Sequence, residues 1–154
     1  MNALMEKTLL AVFAGLGATL AIALLSFADA SSQHWVLLMA PFGATAVLVF
    51  GVPASPLAQP RNVIAGHLIT ALIGVLFVQL GSVTPLTMAL ASGLGVSAML
   101  LSDTTHPPAG ANPLIIMLAG ADWWFLLTPV LSGAVTIVLV GKLMLGVRQR
   151  LPLA

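Results

Sequence analysis

With 154 residues, 60% of them hydrophobic and only 6% charged, and a mean hydropathy of +1.13, the chain is too apolar for a soluble domain of its size. Its net charge of +1 includes no basic run, which leaves nucleic acid out as a partner, and its lack of cysteine leaves out disulfides and thiolate metal sites. The lipid bilayer is the expected surroundings, and nothing in the composition asks for a cofactor.

After a short polar lead, residues 8–28 form an uncharged run of about the ~20 residues that a spanning helix needs. Ala28-Asp29-Ala30 mimics a signal-peptide cleavage site, but the apolar run is long for that role, so it reads as a transmembrane helix. Ala14, Gly15, Gly17, Ala18 and Ala21 give it small faces for close helix approach. A polar turn follows over 29–34, with His34 and Trp35 as an interfacial anchor. The next apolar stretch, 34–51, contains Ala40-Pro41-Phe42-Gly43-Ala44-Thr45, where proline and glycine predict a broken helix. Three prolines make 52–62 a loop, and it carries Arg61, the only arginine outside the C-terminal tail. Residues 63–80 form a span with Gly66, Thr70 and Gly74 on one face, 81–85 a turn, and 86–101 a further span. The stretch Ser102-Asp103-Thr104-Thr105-His106-Pro107-Pro108-Ala109-Gly110-Ala111-Asn112-Pro113 then interrupts the hydrocarbon with an acid, an imidazole and an amide. Ionisable residues at membrane depth are costly and usually functional. A short apolar piece reaches Gly120, Asp122-Trp123-Trp124 reads as interfacial, and 125–147 is the last span, ended by Lys142, Arg148 and Arg150. The methionines are scattered and read as packing.

The two interruptions are related. Setting Pro41-Phe42-Gly43-Ala44-Thr45 over Pro108-Ala109-Gly110-Ala111-Asn112 gives an offset of 67, from position 41 to 108, and the same offset carries Gly66 onto Gly133 and Gly74 onto Gly141. The preceding helices share Gly15-Leu16-Gly17 and Gly93-Leu94-Gly95 at a different offset. The chain therefore reads as a single all-α membrane domain, 1–154, built from two repeats, 7–81 and 84–147, each a span, a broken helix and a span. If the broken segments cross, the repeats are inverted and there are six membrane segments. Lys7, Arg61, Lys142, Arg148 and Arg150 then all fall on the cytoplasmic side, with both termini. If the broken segments re-enter instead, there are four spans and Arg61 lies outside. The positive-inside tendency favours six.

Inverted repeats with discontinuous helices are a recurrent transporter design. Half-helices at 44–50 and 113–118 would present free N–H groups and positive dipole ends to a small anion near the bilayer middle. Thr45 and Asn112, at equivalent repeat positions, are expected to cap these starts or to contact the solute. The expected site is His106, Pro107, Pro108, Gly110, Ala111 and Asn112 from one repeat and Gly43, Ala44 and Thr45 from the other, with Asp103 and Arg61 at its mouth. Asp103 could orient His106 or pair with Arg61. An ordinary imidazole titrates near pH ~6.5, which makes His106 a candidate proton site. His67, on an apolar span, reads as a buried histidine with a backbone partner.

Three long stretches resemble the HPP family: His106-Pro107-Pro108 in its 103–113 context, 40–48 around Pro41-Phe42-Gly43, and 53–63 from Pro53-Ala54-Ser55-Pro56 to Arg61-Asn62-Val63. The family is described as small integral membrane proteins, usually drawn with four membrane helices, a number that re-entrant broken segments would give. Some cyanobacterial and chloroplast members are linked to nitrite transport. The resemblance thus implies a nitrite-like anion transporter or channel in a membrane, here expected to be the bacterial inner membrane, and not an enzyme. So short a chain with small-residue faces on several helices is expected to work as a homo-oligomer. An intramembrane enzyme using Asp103, His106 and His67 as an acid/base or metal set is the second reading, and a packing subunit of a membrane complex the third.

Overall fold

The computed structural model describes residues 2–32, 36–81 and 83–150, and among these the chain is helical throughout, without a strand. Helix α1 (Ala3–Ser31) starts at Asn2, whose side chain accepts from the Met5 N–H at 2.8 Å. Helix α2 (Pro41–Ala46) runs on into a π-helical turn, Val47–Gly51. Helices α3 (Pro60–Gln79), α4 (Pro85–Leu101), α5 (Asn112–Ala119) and α6 (Ser132–Arg148) follow. A 3₁₀ turn, Pro107–Ala111, leads into α5. Before α6 the backbone leaves helical space at Thr128, with φ −133° and ψ 118°. The proposed anchor at His34 and Trp35 lies outside the described residues.

Proline marks helix starts here rather than kinks. Pro41, Pro60 and Pro85 take the first helical position, where the missing N–H leaves no bond unmade. This corrects the expectation of a helix broken within 40–45: the break lies before Pro41, and Gly43, Ala44 and Thr45 are already in helix. The half-helix expected over 44–50 accordingly begins three residues earlier. The second, expected over 113–118, begins one residue earlier, with Asn112 inside the helix rather than at its cap. Among the described residues three stretches are long and apolar enough to cross a membrane: Ala3–Ser31, Pro60–Gln79 and Trp123–Arg148. Pro41–Gly51 and Pro85–Leu101 are apolar but shorter.

The ends of these elements sort into two groups. Leu10 of α1, Pro53 and Arg148 line one cavity, and Pro53, Pro60 and Lys142 line another. Arg61, in the first turn of α3, donates from Nη2 to the Ser102 carbonyl just past α4, at 2.8 Å. The starts of α1 and α3, the turn between α2 and α3, and the ends of α4 and α6 therefore share one end of the bundle. Val36, beyond α1, lines a third cavity together with Gly120, Asp122 and Thr128, at the end of α5.

Lipid is as apolar as a helix core, so helix association in a membrane rests on close packing at small residues. The glycines sit where this requires them. A Cβ on Gly66 would lie 2.9 Å from the His106 Cβ and the Thr104 carbonyl oxygen, and one on Gly74 would lie 2.9 Å from the Pro113 Cα. On α6, Gly133 faces the Phe42 ring and Gly141 faces Val49, with no room for a methyl at either. Gly15 and Gly93 face open space. We predict that Gly74→Ala and Gly66→Ala, which push against backbone, each lower stability by about 1–3 kcal/mol. Gly15→Ala and Gly93→Ala should stay within about 0.5 kcal/mol of wild type. Thermal unfolding of the purified chain in detergent checks both pairs.

Candidate functional site

Among the described residues the polar ones that the fold buries almost completely are Thr45, His67, Thr70, Thr104, His106 and Asn112, all at or near zero exposure. Four of them form one connected chain. His106 Nδ1 lies 2.8 Å from the Leu57 carbonyl, which can only accept, so Nδ1 carries the hydrogen. In the neutral ring Nε2 is then an acceptor, and the Thr45 hydroxyl, 3.0 Å away, donates to it. His67 Nε2 lies 2.8 Å from the same Thr45 oxygen and donates to it. On the far side of that ring, His67 Nδ1 accepts from Asn112 Nδ2 at 3.0 Å.

The amide orientation follows from its other partners. Asn112 Nδ2 also reaches the His67 carbonyl at 3.0 Å, which again can only accept. It reaches Thr70 Oγ1 at 3.0 Å as well, so that its two hydrogens are shared among three acceptors, and that hydroxyl spends its own hydrogen on the Gly66 carbonyl at 2.8 Å. Asn112 Oδ1 is left buried with no donor among the described residues. Two ring contacts complete the packing: Phe42 meets His67 edge-on with centroids 5.3 Å apart, and His67 meets His106 at 5.0 Å.

Local sequence explains the placement. Thr45 lies one turn after Pro41, so its side chain points inward with Pro41 and Phe42 while Gly43 and Ala44 face outward. Gly66 lets the 104–106 backbone lie directly on α3, which brings His106 beside His67. Two side chains of α3's first turn pin that backbone, Arg61 on Ser102 and Asn62, whose Nδ2 donates to the Thr105 carbonyl at 3.0 Å.

Of the residues expected at the site, Thr45, His106 and Asn112 meet at its centre and Pro108 is buried beside them. Gly110 is half-buried, and Gly43, Ala44, Pro107, Ala111, Asp103 and Arg61 are exposed. Neither Thr45 nor Asn112 is a helix cap; the cap positions are Ala40 and Ala111, without side-chain bonds. The N–H groups expected to face an anion are partly spent locally, Phe42 on the Met39 carbonyl, Gly43 on Ala40 and Ala109 on His106. Asp103 neither orients His106 nor pairs with Arg61. It stops α4: with φ +53° it occupies the left-handed position after the helix, its N–H bonding the Leu100 carbonyl and the Thr104 N–H the Met99 carbonyl. A short polar residue tolerates that backbone. Arg61, in turn, satisfies a carbonyl at the same helix end. Among the described residues no three His, Cys, Asp or Glu side chains converge as a metal set would.

His67 is the functional candidate that sequence reading underrated. Its partners are side chains 22 and 45 residues away, which no local pattern announces. The available signal was its place one residue after Gly66, the glycine that the 67-residue offset repeats.

The transmembrane-region model of the HPP family matches residues 5–152. The chain belongs to the HPP family. Two transmembrane proteins of Dictyostelium discoideum are similar to it. One is 38% identical over 140 residues, covering 86% of this chain and 48% of its own length; the other is 37% identical over 128 residues, covering 78% and 41%. This HPP chain thus spans less than half the length of these curated relatives. No solved structure matches it. It is an integral membrane protein with apolar spanning helices.

The geometry makes a prediction for this HPP chain. His67→Phe keeps the ring but removes both nitrogens that Thr45 and Asn112 use, and should cost about 1–3 kcal/mol of stability. Asp103→Asn keeps a side chain suited to the left-handed turn and should stay within about 0.5 kcal/mol of wild type. Thermal melting in detergent separates the two; equal losses would contradict the assignment of His67 to the centre and Asp103 to a turn.

Proposed function

We propose that this protein is a membrane transporter or channel for a small monovalent inorganic anion, nitrite-like by the family resemblance. The observation that carries the reading is the convergence of Thr45 and Asn112, one from each interrupted segment, on the buried His67. A polar cluster enclosed in so apolar a chain is expensive and marks a solute path more readily than a packing role. Interrupted helices that meet at a polar centre are the usual site of such a path.

The repeat belongs to the same proposal. Gly74 of α3 packs on Ile116 and Gly141 of α6 on Val49; the offset of 67 that relates the two glycines also relates 49 to 116. In each case a glycine of one repeat's last helix receives the other repeat's broken helix. Arg61, Lys142 and Arg148 lie at the end of the bundle where α1 starts, as six crossings with inverted repeats and both termini in the cytoplasm require. A homo-oligomer in a plasma membrane completes the reading.

Flux into liposomes holding only this chain tests it. Nitrite should enter faster than into protein-free liposomes, and urea should not. If none of nitrite, formate, nitrate and chloride gains a protein-dependent flux, the transport reading is wrong.

A further inference from the structure

The hydrogens along the chain Asn112, His67, Thr45, His106, Leu57 all point the same way. Each ring has one donor and one acceptor nitrogen in use, and the final acceptor is a carbonyl. The Thr45 hydroxyl is the one member with a second place for its hydrogen. Its oxygen also lies 3.2 Å from the Pro41 carbonyl, one helical turn back. A proton arriving on His106 Nε2 therefore displaces nothing. The Thr45 hydrogen turns from Nε2 to the Pro41 carbonyl, the new Nε2–H donates to the Thr45 oxygen, and the second lone pair of that oxygen keeps the bond from His67 Nε2–H.

His67 has no such option. A proton on its Nδ1 would face the Asn112 NH₂, and turning the amide to receive it would set Oδ1 against the His67 carbonyl. Two charged rings with centroids 5.0 Å apart in an apolar interior would also repel strongly. The arrangement takes one proton.

No carboxylate stands by to balance that proton. On α3 the titratable groups are His67, in contact, and Arg61, turned to the Ser102 carbonyl; α2, α5 and the Pro56–Ala58 turn carry none. Asp103, at the end of α4, is exposed and has no partner among the described residues. A charged His106 enclosed here needs an anion from outside the protein. The buried atom beside the chain that lacks a partner, Asn112 Oδ1, is an acceptor, and it takes the O–H of an acid rather than a bare anion.

We propose that Thr45 and His106 form a single-proton site, and that the protein moves the anion of a weak monovalent acid together with one proton, so that no net charge crosses the membrane. This rests on the transport reading above and adds to it the stoichiometry and the substrate class. One H⁺ and one X⁻ are taken from one side. The proton first occupies the His106 Nε2 lone pair and then passes to X⁻, so that this N–H breaks as the O–H of HX forms; HX donates that O–H to Asn112 Oδ1, leaves to the other side and ionises there. An anion too weakly basic to take the proton from the imidazolium is not carried.

The test is nitrite and formate accumulation by liposomes holding the full chain, with protein-free liposomes subtracted for passage of the acids through lipid. A pH gradient and a potassium/valinomycin potential are imposed separately. A gradient of one pH unit should raise the initial rate of uptake above the protein-free rate, toward the about tenfold accumulation that one proton per anion sets. The potential alone should drive none. Nitrate and chloride, whose acids stay ionised, should accumulate far less. Thr45→Val, which keeps the shape and loses the hydroxyl, should abolish the pH-driven accumulation, and Thr45→Ser should retain it. Accumulation that follows the potential, equal handling of nitrate and chloride, or unchanged proton coupling in a folded Thr45→Val variant would each overturn this inference and leave the transport reading standing. No protein-dependent flux of any anion would remove both.

Discussion

Lipid offers no hydrogen bonds, so every polar group that the fold encloses must find its partner inside the protein. In this chain that demand falls on a few side chains, and the Thr45 hydroxyl sits between them. It touches both imidazoles, one on α3 and one on the turn before α5, while itself belonging to α2. If α2 is displaced, His67 and His106 both lose a partner; if α5 is displaced, His67 and Thr70 lose the Asn112 amide. The network thus fixes how the two interrupted segments stand relative to each other, which packing between apolar surfaces alone specifies poorly. Loss of one member leaves buried atoms unpaired, and the cost of that exceeds the net worth of the bond itself.

Close packing delivers the side chains to this arrangement. Gly66 and Gly74 let α3 touch the backbone of the second interrupted segment, and Gly133 and Gly141 let α6 receive Phe42 and Val49 of the first. The His67 ring is then held edge-on by Phe42 and by His106. The centre is closed in this state, with its backbone donors partly engaged and its side chains bonded to one another. An anion would be held by groups released from these bonds rather than by helix ends standing open. That gives Thr45 more to do than the capping role its sequence position suggests.

The helices were legible because hydropathy and proline placement are local properties: the spans expected at 8–28, 63–80 and 86–101 fall on α1, α3 and α4, while the last, 125–147, is interrupted at Thr128 before α6. The offset of 67 was legible for the same reason, and its glycines became contact points. What failed were the readings in which one residue type serves two opposite purposes. Pro41 with Gly43 looks like a helix break, yet the same pair at a helix start loses no bond and is helical. Asp103 looks like an intramembrane acid, yet its backbone turn puts it outside, ending α4. His67 looks like any buried histidine, since what distinguishes it is set by contacts across 22 and 45 residues. Arg61, expected at the mouth of the site, satisfies a helix end instead.

The central claim is that the two interrupted segments cross the membrane in opposite senses and meet at His67. The chain has no cysteine, so single cysteines can report the sidedness of each loop against a silent background. We would place them at Gln59, Val83, Asp122 and Gln149 and label with a membrane-impermeant maleimide in right-side-out and inside-out vesicles. The account predicts that Gln59→Cys and Gln149→Cys react from the cytoplasmic face, and Val83→Cys and Asp122→Cys from the opposite one. Labelling of Gln59→Cys from the same face as Asp122→Cys would mean that the segments re-enter rather than cross, and would contradict it.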